Sequence, residues 1–104
     1  MKKAMISQPM RGETIEEVEK IRIKAQKKLE KEGYEVIDTY FKEFENWNFK
    51  DEGVKNKPVW FFARALAAMS QCDKVYMCKG WENARGCRIE KMVAEEYGLE
   101  VEEE

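Results

Sequence analysis

Four short apolar runs alternate along this chain with segments of helical periodicity, and that alternation constrains the fold more than any other feature. Ala4-Met5-Ile6 is halted by Gln8-Pro9, as a buried strand entering a turn would be. Thr14-Ile15-Glu16-Glu17 is a capping-box pattern, and Ile15, Val18, Ile21, Ala25 and Leu29 recur at helical spacing until Gly33 supplies a C-terminal stop. Tyr34-Glu35-Val36-Ile37 reads as a second strand. Pro58 suits the first residue of a helix running through Trp60, Phe61, Leu66 and Met69 to Ser70-Gln71. Val75-Tyr76-Met77-Cys78 gives a third strand. After Lys79-Gly80 a last helix is predicted with Ile89, Met92, Val93 and Tyr97 on one face, ending at Gly98 before a short strand at Leu99-Glu100-Val101. The closing Glu102-Glu103-Glu104 reads as a solvated tail. Between Asp38 and Asn56 the chain is acidic and aromatic without a clean period, which predicts a long loop or a short helix; Phe44, Trp47 and Phe49 there would cover the sheet edge or form a lid.

Strands joined by helices imply a parallel sheet with right-handed crossovers. With 104 residues the chain has room for one core, so residues 1–104 are expected to form a single α/β domain, a flavodoxin/Rossmann-like three-layer sandwich with strand order 2-1-3-4. That order reverses between strands one and three. Ligands of such sheets sit outside the carboxyl ends of the strands at the reversal, so the loops after these two strands are the candidate site.

The first loop, Ser7-Gln8-Pro9-Met10-Arg11-Gly12-Glu13, places a hydroxyl, a fixed turn, a guanidinium and a glycine just before a helix N-terminus. Backbone N–H groups and the helix dipole favour a phosphate there, and Arg11 could grip two of its oxygens. The plain alternative is a polar turn with Arg11 paired to a surface carboxylate. The second loop runs from Lys79 through Gly80, Trp81, Glu82, Asn83, Ala84, Arg85, Gly86, Cys87 and Arg88 to Ile89 and Glu90. Glu90 lies four residues beyond Gly86, so on a helix its carboxylate stands beside a position without a side chain, where a ligand could approach the backbone. The alternative is an ordinary exposed glutamate near a positive helix end. Trp81 is equally a base-stacking ring or a buried anchor. Asp73, on the opposite side of the sheet, reads as a turn or cap residue.

At these loops the sequence resembles a known family. Ser7-Gln8-Pro9-Met10-Arg11-Gly12 looks like the opening motif of the nucleoside 2-deoxyribosyltransferase-like proteins, and Cys72-Asp73 through Gly80–Glu90 looks like their closing motif, in a small branch common in bacteria and their phages. The resemblance implies cleavage of the N-glycosidic bond of deoxynucleosides or their monophosphates, by hydrolysis or transfer. Glu90 would be the nucleophile. Ser7, Gln8, Met10, Arg11, Gly12, Gly80, Trp81, Asn83, Arg85, Gly86 and Arg88 would bind substrate or phosphate, with no cofactor and no metal. Met5, Ala65 and Ala84 stand where characterised members often carry Tyr, Asp, and Asp or Ser. They motivate the alternative of a catalytically silent module that senses or sequesters a nucleotide-derived signal.

Composition is compatible with this chemistry and excludes others. The chain has no histidine, which removes Ser-His and Cys-His nucleophile pairs and histidine general bases. A glycosidase mechanism needs only carboxylates. Nineteen basic and 21 acidic residues give a net charge of −2, which argues against a duplex nucleic-acid partner. The three cysteines lack metal or redox spacing, and with no signal peptide they predict buried thiols in a reducing cytoplasm. No apolar run approaches the roughly 20 residues of a membrane span. The apolar perimeter of Trp60, Phe61, Phe62, Leu66 and Met69 exceeds what one sheet face covers, which predicts a homo-oligomer, dimer or higher. Folding-back of the middle loop is the competing cover.

Overall fold

The computed structural model describes residues 1–39, 48–50 and 52–104. The expectations for Phe44 and Trp47 lie outside the described residues. The elements are β1 (Lys2–Ser7), α1 (Ile15–Lys31), β2 (Tyr34–Val36), α2 (Lys57–Met69), β3 (Lys74–Met77), a 3-10 turn (Trp81–Asn83), α3 (Arg85–Glu96) and β4 (Glu100–Glu103). The four strands form one parallel sheet in the order β2-β1-β3-β4, the expected α/β sandwich.

Local chemistry accounts for the boundaries. The Thr14 hydroxyl accepts from the Glu17 N–H at 3.1 Å while the Glu17 carboxylate accepts from the Thr14 N–H, so the capping box opens α1. Gly33 takes the left-handed turn beyond the C-cap, with φ +94°. Asn56 caps α2 by accepting from the Val59 N–H, which places Pro58 second rather than first in that helix. Asp73 accepts from the Lys3 N–H at 2.9 Å, a tie at the amino end of the sheet.

The sheet divides the core in two. Ala4, Ile6, Tyr76 and Cys78 point toward Ala25 and Leu29 of α1; Met5, Val75 and Met77 point toward Met69 of α2 and Cys87 and Ala94 of α3. On α1 the buried stripe is Val18, Arg22, Ala25 and Leu29. Ile15 and Ile21, expected inside, are exposed, because a stripe four residues long in i, i+3 or i+4 steps leaves both beyond the edge of this narrow sheet. The inward stripe of α3 is likewise Cys87 and Ala94 with Glu90 between them, while Met92 and Tyr97 face outward. The expected face was turned by about one position.

The acidic tail also departs from expectation. Glu102 and Glu103 belong to β4, and Glu104 donates its N–H to the Met77 carbonyl at 2.9 Å. Buried Lys74 draws this segment in, with its ammonium 2.7 Å from Glu102, 3.6 Å from Glu100 and 3.8 Å from Glu32. Lys28 also pairs with Glu102 and Glu32. The two lysine contacts hold the Glu102 carboxyl below the usual carboxylate range. The expected all-round apolar α2 is covered in part by its own chain: Phe49 meets Trp60 edge-on at 5.0 Å and Phe61 at 5.6 Å. Among the described residues no helix is long and apolar enough to cross a membrane.

The two sides of α1 separate the observed stripe from the expected one. Leu29 is fully buried, so Leu29→Ala is expected to cost about 3 kcal/mol in urea unfolding, within the range for a leucine cavity, whereas Ile15→Ala should stay within roughly 0.5 kcal/mol of wild type.

Candidate functional site

Sheet order reverses between β1 and β3, and α2 and α3, running back against the strands, bring their N-termini to the carboxyl ends of those strands on the Met5 face. Ser7 ends β1 on that face and is fully buried. Its hydroxyl donates to Oε1 of Glu90 at 2.5 Å across the cleft. The inward stripe of α3 therefore carries a carboxylate where packing alone would favour an apolar side chain.

Burial is the main influence on Glu90 and raises its pKa above the usual carboxylate value; the Ser7 hydrogen bond and the positive charge of Arg22 act in the opposite direction. Cys87, one turn earlier on the same face, has its thiol raised chiefly by burial, with the Ser7 hydroxyl opposing and the Glu90 charge adding to the rise. Cys78 is pushed up to about 12, also mainly by burial. These thiols are protonated at neutral pH and poorly nucleophilic.

The first loop splits into an inner and an outer part. Gln8 is buried and engaged within the fold: its Nε2 donates to the Val18 carbonyl at 2.8 Å and its Oε1 accepts from Arg22 Nε at 3.2 Å. Met10, Arg11 and Gly12 lie outside on an exposed turn closed by the Glu13 N–H to Met10 carbonyl bond. Among the described residues Arg11 forms no ion pair, so the pairing of this guanidinium with a surface carboxylate is not found.

The second loop abuts the first at Gly80, whose φ of +91° excludes an ordinary side chain; a Cβ there would stand 3.7 Å from the Pro9 ring. Trp81 turns away from Glu90 toward β4. Its indole N–H donates to Glu103 at 3.1 Å, Lys91 lies over its ring, and its body packs on the core beside Cys87 and Ala84. Asn83 is exposed. Arg88 donates from Nη1 to the Glu82 carbonyl at 2.8 Å, bracing the 3-10 turn. Arg85 and Gly86 open α3 and line a groove of about 340 Å³ with Ile89 and, across from them, Val59 and Phe62 of α2 and its cap Asn56. Open space stands where a Gly86 side chain would be, so the backbone at this helix end is approachable.

Of the residues singled out from the sequence, the structure thus joins Ser7 to Glu90, sets Arg85 and Gly86 in the groove one turn before Glu90 on α3, leaves Met10, Arg11 and Gly12 exposed, and assigns Gln8, Trp81 and Arg88 to holding the loops. Sequence reasoning missed Arg22 and Cys87. The signal for Arg22 was present: it occupies a position on the Val18, Ala25, Leu29 stripe where an apolar residue belongs.

A carboxylate whose folded-state pKa is raised favours the protonated fold, so its contribution to stability is present at acid pH and is lost as pH rises through its folded-state titration. Glu90→Gln keeps an acceptor for Ser7 and removes the charge. It is expected to raise the melting temperature at pH 7 by a few degrees and to match wild type near pH 4, in thermal unfolding across that range.

No significant match is found among curated proteins or among solved structures. A family profile matches residues 2–103, nearly the whole sheet and all three helices, and the chain therefore belongs to the family described as Domain of unknown function (DUF4406).

Proposed function

We propose that this protein cleaves or transfers the N-glycosidic bond of deoxynucleosides or their monophosphates, with Glu90 as nucleophile. The observation that carries the reading is the part-buried Glu90 carboxylate, held by the Ser7 hydroxyl at 2.5 Å beside the carboxyl end of the central strand. In this chemistry Glu90 attacks the sugar carbon as the bond to the base breaks. The electron pair leaves with the base nitrogen, which takes up a proton, and a glycosyl ester remains. Water, or the nitrogen of a second base, then displaces Glu90 and frees it for another turnover. The developing positive charge on the sugar offsets the unfavourable ionisation of a buried glutamate. The groove between Phe62 and Ile89 would give apolar walls to the departing ring, and the exposed Arg11 guanidinium would take a 5′-phosphate.

A panel of deoxynucleosides and their monophosphates tests this. Wild type should release free base, and Glu90→Ala should abolish release while leaving binding. A charge-assisted bidentate contact is worth about 1.5–3 kcal/mol, so Arg11→Ala should weaken monophosphate binding roughly 10- to 150-fold and leave the unphosphorylated nucleoside nearly unaffected. Binding without release by any member of the panel favours the second reading, a silent nucleotide-binding module. That reading draws on Met5 and Ala65, both buried: neither can protonate a departing base.

We further propose that copies of the chain associate through α2. Val59 of this helix is 60% exposed at the rim of the groove, an apolar side chain that a second copy would cover. Sedimentation at micromolar concentration should find a homo-oligomer that Val59→Glu dissociates; a monomeric wild type refutes this assembly. The free thiols Cys72, Cys78 and Cys87 are in keeping with action in a reducing cytoplasm.

A further inference from the structure

Arg22 is a guanidinium buried to about nine-tenths in the middle of the α1 stripe, a position costly for a charge unless its donors are used. One of them is. Arg22 Nε donates to Gln8 Oε1 at 3.2 Å, and because arginine has donors only, this contact fixes which way the Gln8 amide faces. The amide nitrogen is thereby aimed at the Val18 carbonyl, 2.8 Å away, and ties the end of β1 to the first turns of α1.

The consequence reaches Glu90 through the alternation of a strand. Gln8 follows Ser7 directly, and the two side chains leave the backbone toward opposite faces: Gln8 to α1, Ser7 to Glu90 on α3. Fixing Gln8 on one side anchors the end of β1 from which Ser7 reaches Glu90 on the other. The groups acting on Glu90 are then Ser7 from β1, Cys87 from its own helix and the charge of Arg22 from α1; the thiol is neutral, so Arg22 is the one positive charge among them.

We propose that Arg22 is a positioning residue for Glu90: through Gln8 it holds the end of β1 where the Ser7 hydroxyl meets the Glu90 carboxylate. The inference rests on the reading of Glu90 as nucleophile, and it gives a reason for a charge buried where leucine would pack. Arg22 touches no substrate in this account. Its effect is confined to the orientation and ionisation of the group that does.

Titration of the Glu90 carboxyl carbon tests this directly, by NMR of protein labelled at glutamate Cδ, with Glu90→Gln identifying the resonance. Arg22→Met should move the midpoint upward, and Arg22→Lys should leave it near wild type. Gln8→Met, which cuts the link but retains the charge, should shift it less than Arg22→Met while weakening the Ser7 contact. Should Arg22→Met not fold, Arg22→Gln keeps a donor toward Gln8 without the charge and decides the same question. In base release, loss of Arg22 should lower kcat at pH 7 roughly tenfold with little change in KM, and should shift the acid limb of the pH–rate profile upward. An unmoved Glu90 midpoint in a folded, uncharged Arg22 variant overturns the proposal. Because the titration needs no turnover, absence of base release from wild type refutes the nucleophile reading alone, while the midpoint still decides the role of Arg22.

Discussion

A single hydrogen bond, from the Ser7 hydroxyl to Glu90, joins the end of the central strand to the second turn of the last helix across 83 residues of sequence. It is the contact that the arrangement of the cleft depends on. Strand geometry makes it possible: the side chains of β1 alternate between two faces, and because helices cover both, one face carries Ser7 to α3. A slip of one residue would send Ser7 to α1 and Gln8 to α3, and would exchange Met5 with Ala4 and Ile6 in the two cores. Register, core and cleft are therefore one constraint.

Electrostatic arrangements differ at the two ends of the sheet. At the amino ends, Lys74 and Lys28 meet Glu32, Glu100 and Glu102, the Tyr34 hydroxyl donates to Glu100 at 3.2 Å, and the ionised forms support one another. Lys74 shows the balance: burial opposes its charge, yet the carboxylates raise its pKa overall. At the carboxyl ends the Ser7 hydroxyl and the charge of Arg22 oppose burial at Glu90, and burial prevails. The same types of group are mutually satisfied where they hold the fold and left in tension where a ligand could enter.

Much of this was legible because it is local. The strand–helix alternation, the Thr14 capping box and the Gly33 stop are decided within a turn or two of chain, and a parallel sheet of order 2-1-3-4 follows from them. Glu90 stood out through its spacing from Gly86 and through the resemblance of its motif, while its burial against Ser7 became visible in the fold. What could not be read depends on partners far away in sequence. The tail became a strand because β3 offers an edge and Lys74 two lengths of positive reach; the faces of α1 and α3 were turned because the sheet is only four strands wide, too narrow to cover Ile15, Ile21, Met92 or Tyr97. Trp81 could stack or anchor on sequence grounds, and Glu103, itself in the misread tail, decided it. Arg22 was hidden by convention: a charge in a helix is read as a surface residue unless a buried amide is known to await it.

The positions where local rules are broken are not scattered. α1 follows them at both ends, with acids in its first turn and lysines in its last. α3 does the reverse: Ala84 gives its N-terminus no side-chain cap, no acid stands in its first turn, and Arg85 and Arg88 lie at the positive end of the dipole. Each choice is mildly unfavourable in an isolated fold. Together with a buried Arg22 and a raised Glu90 they gather at the carboxyl end of β1 and β3, whereas buried Lys74 at the other end of the sheet is met by carboxylates. Such concentration is the pattern of a molecule whose stability is given up at one place, here where the ends of β1 and β3 meet the start of α3.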